Sequence, residues 1–157
     1  ICRSPTAEVV LKHYCDTEQL NVEVDSAGTS NYHPNQAPDL RSQKHALKRG
    51  YDLSALKARQ LKIQDFIDFD LFLAMDLENL KDIEDLRKQA QHYYANHGAV
   101  QNIRAEVALM SAHDHRYLGQ ALPDPYYGGD EGFERVLDQC ESSSQAWVKV
   151  LQKKLAV

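Results

Sequence analysis

Apolar residues recur along the chain at two spacings, and the alternation between them sets out the elements. From Ser4-Pro5 to about Cys15, Ala7, Val10, Leu11 and Tyr14 fall on one side of a helix. A capping hydroxyl followed by proline at the first helical position marks its start. Val22–Asp25 alternates and is β-branched, which predicts a strand ended by Ser26-Ala27-Gly28. Pro38 and Gly50 bracket a second helix. The short apolar run Asp70–Met75 predicts a buried strand, and a helix over 76–90 follows with Leu77, Leu80, Ile83 and Leu86 about a turn apart. Val107–Met110 predicts a further strand. A last helix over about 131–155 places Phe133, Val136, Leu137, Cys140, Trp147, Val148 and Leu151 at helical spacing.

Strands alternating with helices imply an α/β fold: a parallel sheet with helices on both faces. In such a sheet an anion sits where the carboxyl end of a strand meets a helix N-terminus. No repeat, low-complexity tract or linker divides the 157 residues, so a single domain is expected over 1–157.

Charge narrows the function classes. The formal net charge of −5 argues against a nucleic-acid partner. It is unevenly spread: residues 1–62 carry 9 basic and 7 acidic residues, the remainder 9 and 16. No apolar run approaches the roughly 18 residues of a membrane span. Three cysteines, Cys2, Cys15 and Cys140, lack CxxC spacing and suggest neither a disulfide framework nor a zinc site. A reduced, cytoplasmic setting is the corresponding expectation. Cys15 and Cys140 fall on apolar helical positions and read as core.

Two segments carry candidate chemistry. The chain opens Ile1-Cys2-Arg3-Ser4-Pro5. Arg3, at a helix start, can hold two phosphate oxygens as a fork where lysine offers a point charge. Its plainer reading is a surface charge beside a helix. Asp124 stands in Pro123-Asp124-Pro125-Tyr126-Tyr127-Gly128. Flanking prolines stiffen a loop that holds one carboxyl in place for proton transfer, although Asp-Pro alone is also a common turn. His113-Asp114-His115 offers two metal-capable imidazoles without a third ligand placed by spacing, and a solvated turn is the expectation.

The two segments together resemble the low-molecular-weight protein tyrosine phosphatases. In that family the loop reads Cys-x-Gly-Asn-Ile-Cys-Arg-Ser, and its first cysteine is the nucleophile; that position falls four places before Ile1. Supporting matches run along the chain: Asp25-Ser26-Ala27-Gly28-Thr29, Pro38-Asp39-Leu40-Arg41-Ser42, Ala58-Arg59-Gln60 and Ala74-Met75-Asp76 with Asn79-Leu80. The resemblance implies a three-layer fold with about four parallel strands, the first of which precedes Ile1. It therefore leads us to expect about a dozen upstream residues.

It also implies roles. Arg3 clamps phosphate, Ser4 donates to the nucleophilic sulfur, and Asp124 protonates the leaving phenol and later activates water. Tyr126 and Tyr127 line one wall of the cleft and Tyr32 the other, unless Tyr32 is a half-buried loop tyrosine. Ser26 supports the loop through its asparagine. Cys2 borders the substrate and can pair reversibly with the nucleophile, against the plainer reading of a small buried thiol. Leu56 departs from the pattern, since many members carry histidine there. The implied reaction uses no cofactor or metal. Its substrate is a phosphotyrosine-containing protein, with phosphate, sulfate or vanadate as inhibitors, and it calls for neither nucleic acid nor membrane. Two alternatives stand beside it: an arsenate reductase on the same fold, which needs relay cysteines that the chain lacks between Tyr32 and Gln139, and a catalytically dead phosphate-binding module.

Overall fold

The computed structural model describes residues 3–29, 35–98, 103–125 and 129–156. Helix α1 (Arg3–Thr17) turns Ala7, Val10, Leu11 and Cys15 inward and leaves Tyr14 half-buried. It ends where Gln19 takes a left-handed φ of 58° and the Leu20 N–H bonds the Cys15 carbonyl at 2.9 Å. The helix opens at Arg3, so Ser4 stands inside the first turn and not at the cap position expected of it.

Helix α2 (Leu40–Lys48) begins later than the proline suggested. Asp39 is its cap, accepting from the N–H groups of Arg41 at 2.8 Å and Ser42 at 3.2 Å, and Pro38 precedes that cap. Gly50, at φ 87°, lets the chain turn back so that the Tyr51 N–H reaches the Ala46 carbonyl at 3.0 Å. A single turn that the periodicity did not mark, α3 (Asp65–Asp68), follows. Asp65 organises it, accepting from the Lys62 N–H at 2.9 Å and from Arg59 Nη1 at 3.0 Å.

Strands β1 (Leu71–Ala74) and β2 (Glu106–Leu109) pair in parallel, Leu71 opposite Glu106 and Ala74 opposite Leu109. They are the only two strands among the described residues, where the sequence predicted three. Val22–Asp25 is not a strand. Its alternation is real, with Val22 and Val24 packed on the core and Glu23 and Asp25 exposed, but no described segment lies beside it to complete a ladder. The nearest pairing is an isolated parallel bridge from Gly28 to Gln60.

The two faces of the sheet bury different clusters, as the period of two requires. Phe72, Ala74, Val107 and Leu109 face helix α4 (Leu77–Asn96), meeting Ile83 and Ala90, with Phe66 stacked on Phe72 at 4.5 Å. Leu71, Leu73 and Ala108 face α1 and the long helix α5 (Asp130–Leu155), whose Val136, Leu137, Cys140, Trp147 and Val148 complete the main core. Helices on both faces make the fold α/β in three layers. Leu77 departs from the predicted buried stripe: it is the first residue of α4 and stays 68% exposed, so the stripe begins a turn later at Leu80. α4 also runs six residues beyond 90, because no helix breaker occurs before Gly98 at φ 73°.

Candidate active site

The carboxyl end of β1, the opening of α1 and the chain leading to Asp124 meet at one place. Beyond β1 the Met75 carbonyl accepts from the Leu122 N–H at 2.8 Å, which lays the 120s segment across the strand end. Asp76 caps α4, its Oδ1 accepting from the Asn79 N–H at 2.7 Å. Its Oδ2 lies 2.8 Å from Arg3 Nη1, and the same Nη1 donates to the Leu122 carbonyl at 3.1 Å. Arg3, first residue of the first helix, is thus anchored by a residue 73 positions on and by another 119 positions on. Burial alone would raise the Asp76 carboxyl, but the Asn79 N–H and the Arg3 guanidinium together hold it below the ordinary aspartate range.

Asp124 follows Leu122 by two residues and is exposed, between half-buried Pro123 and buried Pro125. Pro125 packs on the first turn of α5: a Cβ on Gly132 would stand 3.4 Å from both its Cα and its Cβ. Ser4 is half-buried on α1 beside Arg3.

Ser26 reaches the same helix from the other side. Its Oγ donates to Glu8 Oε1 at 2.6 Å. Burial pushes the Glu8 carboxyl up and neighbouring Asp25 adds to this, while the Ser26 hydroxyl opposes it. Arg59 fixes the segment, binding Asp25 Oδ2 through Nε at 3.1 Å and Asp65 Oδ2 through Nη1 at 3.0 Å. Gly28 then bonds the backbone on either side of Gln60. Leu56, which stands where many relatives carry histidine, is half-buried.

Of the residues singled out in the sequence, Arg3 bonds the Leu122 carbonyl, two residues before Asp124, Ser4 follows it on α1, and Ser26 bonds Glu8 of the same helix. Cys2, Tyr32, Tyr126 and Tyr127 lie outside the described residues. The His113–His115 segment is a turn with both histidines exposed, as expected, but its middle residue is buried. Asp114 is 2% exposed and accepts from Ser142 Oγ at 2.8 Å, Ser143 Oγ at 2.7 Å and the N–H groups of Arg116 and Tyr117. Among the described residues no three His, Cys, Asp or Glu side chains gather as a metal ion needs. Nor, among them, is any helix long and apolar enough to cross a membrane. Cys15 and Cys140 are both buried in the core as expected, and burial pushes both thiols up.

Sequence reading missed Asp76 and Glu8 as partners of the site. Asp76 carried a usable signal, an aspartate at the end of an apolar strand and the start of a helix, which is where α/β proteins bind ligands.

A helix opening beside the end of a parallel strand, with an arginine bonded to Asp76 past that strand and to the segment that leads to Asp124, belongs to an α/β fold. The chain belongs to the low molecular weight phosphotyrosine protein phosphatases, a family of hydrolases: the family model described as "Low molecular weight phosphotyrosine protein phosphatase" matches residues 1–157. A putative low molecular weight protein-tyrosine-phosphatase of Synechocystis is 36% identical over 157 residues, covering 99% of this chain and 92% of its own. The human low molecular weight phosphotyrosine protein phosphatase is 36% identical over 151 residues, 95% of this chain and 88% of its own. Among solved structures, a protein tyrosine phosphatase from Entamoeba histolytica with Hepes in its active site superposes with a TM-score of 0.84 at 32% identity, over 99% of this chain and 92% of that one. A Drosophila arginine phosphatase superposes with a TM-score of 0.80 at 29% identity, over 96% of this chain and 91% of that one.

Proposed function

We propose that this chain hydrolyses phosphotyrosine in proteins, and small aryl phosphates, through a phosphocysteine intermediate. The attack requires a thiolate at the position that the family places four residues before Ile1. Arg3 grips two non-bridging phosphate oxygens, and the N-terminus of α1 adds partial positive charge. The sulfur–phosphorus bond forms as the bond to the phenolic oxygen breaks, and the Asp124 carboxyl gives that oxygen its proton. This matters because a phenol's pKa of about 10 makes phenolate a poor leaving group. Asp124, now a carboxylate, takes a proton from the water that cleaves the thiophosphate, releasing inorganic phosphate and the thiolate. Ser4 donates to the sulfur, and Ser26 supports the loop. Tyr126, Tyr127, Tyr32 and Cys2 border the bound ring. The first and last helices pack together, with Gln152 Nε2 reaching Glu18 Oε2 at 3.4 Å, which supports residues 1–157 acting as one domain.

The observation that carries this reading is the bond from Arg3 Nη1 to the Leu122 carbonyl, two residues from Asp124. It supports reading Arg3 as the anion clamp and Asp124 as the proton donor beside one strand end.

The test is Asp124→Asn in protein that carries the loop cysteine. The value of kcat/KM for phenyl phosphate, which reports the phosphorylation step alone, should fall by roughly 10²–10⁴-fold, with a much smaller fall for an aryl phosphate with a strongly acidic phenol. Equal losses for both leaving groups would rule out proton donation by Asp124. Running phosphoarginine beside phosphotyrosine distinguishes a tyrosine from an arginine phosphatase, and preferential release from phosphoarginine would overturn the substrate assignment.

A further inference from the structure

One buried histidine is left unexplained by the chemistry above. His45 on α2 is 6% exposed, and its ring lies parallel to Phe133 of α5, 5.2 Å between centroids and 3° between planes. Its Nδ1 is 3.3 Å from Glu134 Oε2 and its Nε2 is 3.4 Å from Asp130 Oδ1. Both ring nitrogens thus face carboxylate acceptors. Other charges share the contact: Arg49 Nη2 lies 3.5 Å from Glu134 Oε1, and the Arg41 guanidinium sits 5.0 Å above the Phe133 ring.

Asp130, Phe133 and Glu134 all belong to the opening turns of α5. Gly132, on the same turn, is where Pro125 packs, and Pro125 follows Asp124. The first turn of α5 is therefore held by His45 through its side chains, and it holds the end of the Asp124 segment through a glycine with no Cβ in the way.

We propose that His45 is a positioning residue for the proton-transfer step: by gripping Asp130 and Glu134 it fixes the first turn of α5, and through the Gly132–Pro125 contact it fixes Asp124. The inference rests on the reading of Asp124 as general acid. A residue that sets only the donor's position changes the step that needs the proton and leaves phosphate binding alone.

The experiment compares His45→Leu and Glu134→Gln with Asp124→Asn, all in protein carrying the loop cysteine. For His45→Leu, kcat/KM on phenyl phosphate should fall about tenfold, a part of what general acid catalysis supplies. On an aryl phosphate with a strongly acidic phenol it should change less than about threefold, and inhibition by inorganic phosphate should hold. Hydrogen exchange should rise in residues 122–134 and stay unchanged in α1. Glu134→Gln, at a half-exposed side chain, should show the same pattern more weakly and serves if His45→Leu does not fold. Unchanged exchange over 122–134, or equal losses in kcat/KM for both leaving groups while Asp124→Asn discriminates them, overturns the proposal. If Asp124→Asn itself fails to discriminate, the acid reading falls, and raised exchange in His45→Leu still upholds the mechanical link.

Discussion

Arg3 shows how one side chain is aimed by groups far along the chain. Its Nη1 is occupied by Asp76 and by the Leu122 carbonyl, and a guanidinium so held presents its remaining N–H groups in a fixed fork. Arg3→Lys keeps the charge and loses the fork, so kcat/KM on an aryl phosphate should fall on the order of 10²–10³-fold with the fold intact. Circular dichroism alongside the kinetics checks both halves. Asp76→Asn separates aiming from capping. Asparagine caps a helix about as well as aspartate, so the melting temperature should stay within a few degrees. The ion pair is lost, and phosphate inhibition should weaken. The sign for pH follows from a folded-state carboxyl held low. What the Asp76 pair contributes is present above the ordinary aspartate value of about 3.9 and disappears as pH falls through the lower folded value.

At the scale of elements, α5 gathers more than its hydrophobic stripe. It receives Asp114 on Ser142 and Ser143, and Arg49 of the α2 C-cap on Asp138 at 2.9 Å and on Glu141 at 2.5 Å, and Tyr51 donates to Glu141 at 2.7 Å. Burial would raise the Asp114 carboxyl, but the Ser143 and Ser142 hydroxyls and two backbone N–H groups hold it down. Asp114→Ala strips four donors of their acceptor, two of them on the turn itself, and should destabilise by about 2–4 kcal/mol in urea unfolding. The wild-type contribution should be complete above about pH 4 and lost as acid carries the solution through the depressed folded value. None of this was visible as periodicity. His113-Asp114-His115 looks like a polar turn in sequence, because nothing in it says that two serines 28 and 29 residues away will point at it.

At the scale of the molecule, legibility follows the range of the interactions. Helices were read to within a few residues where a cap or breaker is local, as at Asp39 and Gly50, and overrun where none intervenes, as in α4 up to Gly98. β1 and β2 were found as apolar runs because burial on both faces leaves a mark in composition. Val22–Asp25 carries a different mark, alternation, yet forms no ladder with the described residues, since a strand is an agreement between two segments and the pattern of one cannot supply it. Arg3, Ser4, Asp124 and Ser26 were named from motifs, while Asp76, Glu8 and His45 were not, because contacts spanning tens of residues leave no spacing to read. The core itself predicts a cooperative unit. Leu137, 2% exposed amid α1, α5 and the sheet, should cost about 2–5 kcal/mol as Leu137→Ala, measured by denaturant midpoint at constant slope.

Trp147 is the one tryptophan of the chain, and its indole N–H donates to the Met110 carbonyl, just past β2, at 2.7 Å, with His113 edge-on at 4.8 Å. That places a single fluorophore at the seam where the last helix meets the sheet, so its emission works as a local gauge of docking. A blue-shifted band should mark the docked helix, and a red shift should mark water reaching the indole. If the helix lifts before the sheet opens, the colour change will precede the loss of far-ultraviolet ellipticity, and coincident curves will mean that seam and sheet part together.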